Sequence, residues 1–264
     1  MTQPPRLMSD IESKPDLLVP FAPKDEKEFP PLACHEIVTF GALPIDFSRQ
    51  DSAIGRFTLF GRPQGPADAP VPERAILEPL VAFVEEHRPQ LVTWNGHRFD
   101  APLMTMRALK HGLSMPYWFN SRTTRYRYAV DGHLDVKDYL SNFGSSQVGS
   151  LDHVARLVGF PGKVGIDGSM VKDMIASGRY ADVDRYCLCD VAQTAAIYLR
   201  TMLLRGLLGL EDYRRHARDL LSRVDETPGP DLLSPLVRRS DFLLEGARVA
   251  LSVPDAIFEE VRPS

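Results

Sequence analysis

Cysteine is scarce in this chain: Cys34, Cys187 and Cys189 are the only three in 264 residues. An odd, sparse count excludes a disulfide framework. Cys187 and Cys189 form C-x-C inside a helical pattern with no second pair, so they read as buried thiols rather than a zinc site. Long apolar runs are missing too. No uncharged stretch approaches the ~18–20 residues of a membrane span. The opening segment MTQPPRLMSDIES has no apolar signal-peptide core, which makes the cytoplasm the expected compartment. There is no internal repeat. The glycines of GFPGKVGIDGS do not form a phosphate loop, because G-x-x-x-x-G-K-[ST] is absent. Surplus positive charge is also lacking: 31 basic and 35 acidic residues leave a net charge of −4.

What is present fits a folded protein. A 44% hydrophobic share supplies a sizeable core, and 25% charged residues exclude collagen-like and wholly disordered chains. The length admits one large domain or two small ones. The mild negative charge hides an asymmetry. Between Arg88 and Val130 lie Arg88, Arg98, Arg107, Lys110, Arg122, Arg125 and Arg127, against Asp100 as the only acid. A local field of this kind attracts phosphate even on a mildly acidic chain.

Leu7–Ile11, followed by Glu12, predicts a short first strand. Ser13–Ala33 is a proline-rich, charged loop, long enough to be functional or mobile. HEIVTFGAL (His35–Leu43) and RFTLFGR (Arg56–Arg62) predict the second and third strands. ERAILEPLVAFVEEHR has helical spacing, with Pro79 predicting a late start or a kink. QLVTWN (Gln90–Asn95) is a fourth strand, APLMTMRALKHG a helix ended by Gly112, and HLDV (His133–Val136) a fifth strand. Ser150 caps the helix SLDHVARLVG. Asp182–Arg205 is a long helix stopped by Gly206, and two amphipathic helices follow near Glu211–Val224 and Leu232–Val249. This order predicts an α/β fold: a mixed sheet with an antiparallel edge meander, in one domain (residues 5–206), and a helical C-terminal extension (207–264) packed on it.

Three short segments carry chemistry together. SDIES places Asp10 and Glu12 two apart in a strand, hence on one face. WNGHRFD places Asn95 and Asp100 where a strand turns into a helix. YCLCD places Tyr186 and Asp190 four apart, one helical turn. Each alone has an ordinary explanation: an exposed strand end, an Asp100 helix cap, a helix face. Together they bring four carboxylates from distant segments to one place, which requires neutralisation. Two Mg²⁺ or Mn²⁺ ions, which prefer oxygen ligands, would supply it and form the clamp used for phosphodiester cleavage. A tyrosine one turn before a metal-ligating aspartate can hold the attacking water.

These segments resemble the three exonuclease motifs of the DEDD superfamily of 3′–5′ exonucleases, in its tyrosine variant. WNGHRFDAPLMTMRALKHG, RYRYAVDGHLDV, SLDHVARLVGFPGKVGIDGSMV and DRYCLCDVAQTAAIYLR are similar to a predicted 3′–5′ exonuclease family related to the exonuclease domain of family B DNA polymerases. The resemblance runs from about Leu7 to Gly206. It implies a ribonuclease-H-like fold with a mixed five-stranded sheet flanked by helices. It also implies Asp10, Glu12, Asp100 and Asp190 as metal ligands and Tyr186 as the water-positioning residue. Ser13 stands where the family usually has threonine, and no polymerase domain is present.

Other features carry less. RTTRYRY (Arg122–Tyr128) interleaves Arg122, Arg125 and Arg127 with tyrosines, which suits the phosphates and bases of a single strand or, equally, a solvated edge hairpin. Lys163 contacts phosphate or is solvated. Asn95 and Phe99 are candidate substrate contacts, although Phe99, like His35, Trp94 and Trp118, is most simply structural. His97 is a loop histidine within reach of the site, and Asp135 either points into the acidic pocket or ends a strand. The expected activity is metal-dependent removal of 5′-mononucleotides from single-stranded DNA. The same chemistry on RNA is the first alternative, and a catalytically silent nucleic-acid-binding module the second. The four intact acids argue against the silent module.

Overall fold

The computed structural model describes residues 4–25, 28–49, 51–160 and 170–227. Five strands form one sheet in the order β3-β2-β1-β4-β5: β1 Arg6–Pro15, β2 His35–Ile45, β3 Thr58–Leu59, β4 Gln90–Thr93 and β5 His133–Asp135. β2 runs antiparallel to β1 and β3, while β4 and β5 run parallel to β1. The helices are α1 Glu73–His87, α2 Asp100–His111, α3 Pro116–Asn120, α4 Val136–Leu140, α5 Leu151–Leu157, α6 Val171–Ala176, α7 Tyr180–Leu204 and α8 Leu210–Glu226. This is the ribonuclease-H-like arrangement, a mixed five-stranded sheet with helices on both faces.

Alternation along β1 sorts the two layers. Leu7 and Ile11 pack with Leu77, Leu80, Leu103 and Met104 of α1 and α2. Met8 lies on the opposite face, against Val191 and Ala192 of α7. Asp10 and Glu12 follow Met8 in step, so they belong to the α7 side. The alternation survives because the register irregularity falls beyond Glu12: Ser13 pairs with Ile37 and Glu12 with Thr39, leaving Val38 as the extra residue on β2. Val38 is thereby turned into a small cluster with Val183 and Tyr186.

The predicted third strand shrinks to two residues. Gly61 takes φ 78 and ends the pairing. The Arg62 side chain then turns inward, with Nε 2.8 Å from Asp184 and a bond to the Ala69 carbonyl. The first strand is longer than Leu7–Ile11 because its pairing with β2 continues to Pro15. α1 begins at Glu73 and runs through Pro79, whose ring sits on the exposed side; the Ala75 carbonyl forgoes its helical partner there. α2 ends at Gly112 in the left-handed conformation, and Ser150 caps α5 by accepting from the His153 N–H. α8 shares the core with α7 through Tyr213, Ala217 and Leu220. The predicted helix Leu232–Val249 lies outside the described residues.

α7 is long and apolar enough to cross a membrane by length and composition, yet 83% of its most apolar window is buried in the molecule. It is the central core helix. Its approach to the sheet is set by Gly41, which pairs with Asp10: a Cβ there would lie 2.8 Å from Cys187 Sγ and 3.2 Å from Leu188. All three cysteines are buried and free, so the C-x-C pair is packing. Gly41→Ala is therefore expected to cost ~1–3 kcal/mol, the usual penalty of overpacking, measured by urea unfolding, and to lower activity by displacing Tyr186 and Asp190. A parent-like unfolding midpoint would show that α7 does not depend on this contact.

Candidate active site

Asp10 sits in mid-β1, and Cys187 of α7 donates to its backbone carbonyl at 3.3 Å. This contact locks the strand to the helix that carries Tyr186 and Asp190. Carboxylate oxygens of Asp10, Glu12 and Asp190 lie within 4.8 Å of one another. Asp190 is buried and accepts from Gln193 Nε2 at 3.2 Å.

Asp100 reaches the same place from the sheet's edge. Residues 95–99 form a tight turn after β4: Asn95 adopts φ 68, and a Cβ on Gly96 would fall 2.2 Å from Thr93 Oγ1, so only glycine fits. Asp135 anchors the turn, accepting from the N–H groups of Asn95 (2.9 Å) and His97 (3.0 Å) and capping α4 through the N–H of Asp138. Its work is thus structural. Phe99 is the residue before the helix, and Asp100 is the first residue of α2 rather than its cap. The Asp100 carboxylate interacts with the backbone N–H of Ile11, between Asp10 and Glu12 on β1. The structure brings the four predicted acids together around one site, three of them in mutual ligand distance.

Among the described contacts no cation of the chain offsets the burial of Asp10 or Asp100, and both carboxyls are pushed upward. Burial first, then Asp190, Glu12 and Asp100, holds the Asp10 carboxyl well above its ordinary range. Burial, aided by Asp135 and Asp190, pushes Asp100 up to about 7 against the pull of its own N–H and that of Ile11. Asp10 Oδ2 is buried and has no hydrogen-bond partner. Gathered oxygen ligands with an orphaned buried oxygen fit a hard divalent cation such as Mg²⁺ or Mn²⁺. Tyr186 is buried, and its hydroxyl bonds to the Asp190 carboxylate; burial and the surrounding acids raise the phenol far above its usual range.

The candidate substrate contacts have the following surroundings. Asn95 Oδ1 accepts from Lys137 Nζ at 3.3 Å. Phe99 packs edge-on against Phe29 (5.8 Å) and His35 (5.5 Å), beside Ser13, whose Oγ is 3.1 Å from His35 Nδ1. Arg122 is exposed, and Arg125 lies 4.5 Å over the Phe119 ring. Arg127 is engaged with Asp138 in a two-pronged pair and donates to the Phe143 carbonyl at 2.9 Å. The stretch forms turns, not an edge hairpin. Lys163 lies outside the described residues. His97 faces Asp138 at 3.4 Å. The basic field read from Arg88–Val130 is weaker than its count: Arg107 is buried against Glu73 and Asp16, and Lys110 also binds Asp16. That network was not legible in the sequence, because its acids come from residues 16 and 73. Lys137 and Arg98, which line a cavity beside the turn, were also missed. Arg98 sits inside WNGHRFD but counted only toward the basic field, and Lys137 directly follows HLDV.

A family model described as "Predicted 3'-5' exonuclease related to the exonuclease domain of PolB" matches residues 27–232. The match includes Asp100, Tyr186 and Asp190 and starts after β1, which carries Asp10 and Glu12. The chain is 29% identical over 104 residues to the catalytic subunit of DNA polymerase epsilon from Dictyostelium discoideum, covering 38% of this chain and 4% of that protein. Its fold is similar to the family B DNA polymerase from the hyperthermophilic archaeon Pyrobaculum calidifontis, with a TM-score of 0.51 and 19% identity, over 84% of this chain and 29% of that one. The chain thus spans a small part of either polymerase.

The raised carboxyls fix the sign of a pH effect. Between the ordinary carboxyl pKa and about 7 the native state binds more protons at Asp100 than the unfolded chain does, so that group's stability contribution falls as pH rises through this window. Metal-free protein should lose melting temperature across it. Added Mg²⁺ or Mn²⁺ should restore it, more strongly at pH 8 than at pH 5, where protons compete for the ligands. Asp10→Asn should raise the metal-free melting temperature and blunt the response to metal. Thermal melts across pH with and without metal check this; a melting temperature indifferent to both would refute the electrostatic reading.

Proposed function

Because the chain belongs to the family of predicted 3′–5′ exonucleases related to the exonuclease domain of PolB, we propose that it is a metal-dependent 3′–5′ exonuclease removing 5′-mononucleotides from single-stranded DNA. The observation that carries the reading is the joint placement of Asp10, Glu12 and Asp190 within 4.8 Å, with Asp100 beside them and the Tyr186 hydroxyl on Asp190. Two divalent ions would supply the Lewis acidity that offsets the phosphate charge and acidifies water. Asp10, Glu12, Asp100 and Asp190 would hold them through carboxylate oxygens. Four acids facing a phosphodiester make little sense on a surface that only binds nucleic acid, which argues for catalysis over the silent module.

Tyr186 orients the attacking water. Helical side chains lean toward the N-terminus, so Asp190 leans back toward Tyr186 one turn earlier and meets its hydroxyl. The phenol stays protonated at neutral pH, because burial and three nearby acids oppose its ionisation. It therefore donates or accepts a hydrogen bond without taking the proton away. Water oxygen bonds to the terminal phosphorus, the bond to the 3′ oxygen breaks, and that oxygen leaves as a hydroxyl on the shortened strand. The 5′-mononucleotide is the product.

Asp190→Asn and Asp10→Asn should abolish nucleotide release while leaving strand binding intact or tighter, since negative charge near phosphate is removed. Excess chelator should stop the parent. Release that persists with either variant, or in chelator, would overturn the metal-dependent mechanism. Matched DNA and RNA oligonucleotides decide between the two substrates.

Tyr186→Phe deletes only the hydroxyl and keeps the ring against Val38 and Val183. Single-turnover rates with Mg²⁺ should fall about 10²-fold, at the lower end of positioned proton-transfer effects, with the fold and strand affinity preserved. Tyr186→Ala should also lose stability. An unchanged rate for the phenylalanine variant would make Tyr186 a packing residue.

A further inference from the structure

A cavity of about 650 Å³ opens between the 95–98 turn and the segment from Ser141 to Ser150. Asp10, Glu12 and Asp190 do not line it. Its link to the site is Asp135 on its wall, which raises Asp100 by its charge and whose carboxylate holds the turn that leads to Asp100.

The charges on this wall do not cancel. Asp135 accepts from three backbone N–H groups and keeps its negative charge. Asp138 is matched by Arg127, with His97 nearby. Against Asp135 and Asp138 stand Arg127, Lys137 and Arg98, an excess of one positive charge, and two of these cations have no acid as partner among the described residues. Lys137 is held only by the neutral Asn95 Oδ1, and Arg98 is exposed with no ion pair among the described residues. Asn95 is kept in the left-handed region, uncommon outside glycine, and meets Lys137 from there.

Two tyrosines flank Arg127, which lines the same cavity. Tyr126 and Tyr128 are 60% and 55% exposed, with ring centroids 5.6 Å apart, and Tyr128 packs on Phe143 at 4.8 Å. Asn142 and Phe143 both take positive φ (52 and 55). Arg127 fixes them from the cavity side through the Phe143 carbonyl, and the Phe143 N–H bonds to the Asp138 carbonyl at 2.7 Å. One arginine thus ties the cationic wall to the aromatic ledge. Unpaired cations beside exposed, fixed aromatic faces are what single strands bind: phosphates on the charges, bases stacked on the rings.

We propose that this wall carries the single strand upstream of the terminal nucleotide, with phosphates on Arg98 and Lys137 and bases on Tyr126 and Tyr128. The proposal rests on the exonuclease reading and specifies where its substrate lies.

The test is fluorescence anisotropy of 5′-fluorescein-dT10 with the full chain in chelator, so that the strand is bound and not cut, over a series of NaCl concentrations. Arg98→Gln with Lys137→Gln keeps polar side chains and removes both charges. It should reduce the log–log salt slope by about 1.4, at ~0.7 per phosphate contact. Tyr126→Ala with Tyr128→Ala should weaken binding at least about tenfold and leave the slope alone. Arg74→Ala on α1, an exposed arginine outside this wall, is the control and should match the parent. Parent-like affinity and slope in both double variants overturn the proposal, as does a parent that binds no dT10. A parent that binds in chelator but releases no nucleotide with Mg²⁺ or Mn²⁺ overturns the exonuclease reading and leaves the strand path supported. A parent that cuts while both double variants bind as it does overturns the path alone.

Discussion

Everything in this fold answers to one electrostatic constraint: Asp10, Glu12, Asp100 and Asp190 are brought together, and no described cation of the chain reaches Asp10 or Asp100. Two like charges ~4 Å apart repel by about 4 kcal/mol at the effective dielectric near a protein surface. Something must hold the segments in place against that. The apolar packing of α7 on the sheet does so, through Val191, Ala192 and Ala195 in a core shared with β1, β4, α5 and α8. Gly41 lets the helix come close enough for Cys187 to touch the backbone of Asp10. The repulsion is met part of the way by proton uptake, which is why the raised carboxyls of Asp10 and Asp100 belong to the same account as the close helix.

Acids elsewhere in the molecule are handled in the opposite manner. Glu73 and Asp16 are as buried as Asp100, but Arg107 binds both, with His111 on Glu73 and Lys110 on Asp16. Their carboxyls are held below the usual range in spite of burial. Glu73 also accepts from the N–H of Ile37 at 2.7 Å, so the pair ties α1 and α2 to β2. Asp184 is intermediate: burial raises it, yet Arg62 and Thr39 both reach its oxygens. What separates Asp10 and Asp100 from these structural acids is the missing cation rather than the burial alone. A carboxylate left without a protein cation in a packed interior is a carboxylate prepared for a partner from outside.

Much of this was determined by the sequence alone. Period-two alternation in β1 placed Asp10 and Glu12 on one face, and period 3.6 in α7 placed Tyr186 one turn from Asp190, because side-chain direction within an element is a local property. Element order, the glycine stop of α2 and the Ser150 cap were legible for the same reason. The tertiary structure decided what depends on distant partners. It made Asp100 the first residue of α2 rather than a cap, since the strained 95–99 turn hangs on Asp135, some forty residues away. It shortened β3, since Arg62 is drawn inward by Asp184 on α7. It removed Arg107 from the surface field and set Arg98 and Lys137 beside a cavity, though nothing about a lone arginine or lysine in a sequence tells whether an acid will meet it. Local geometry repeats along the chain and can be read from it. Charge pairing is a contest between residues far apart in sequence, and only the folded chain brings them within reach.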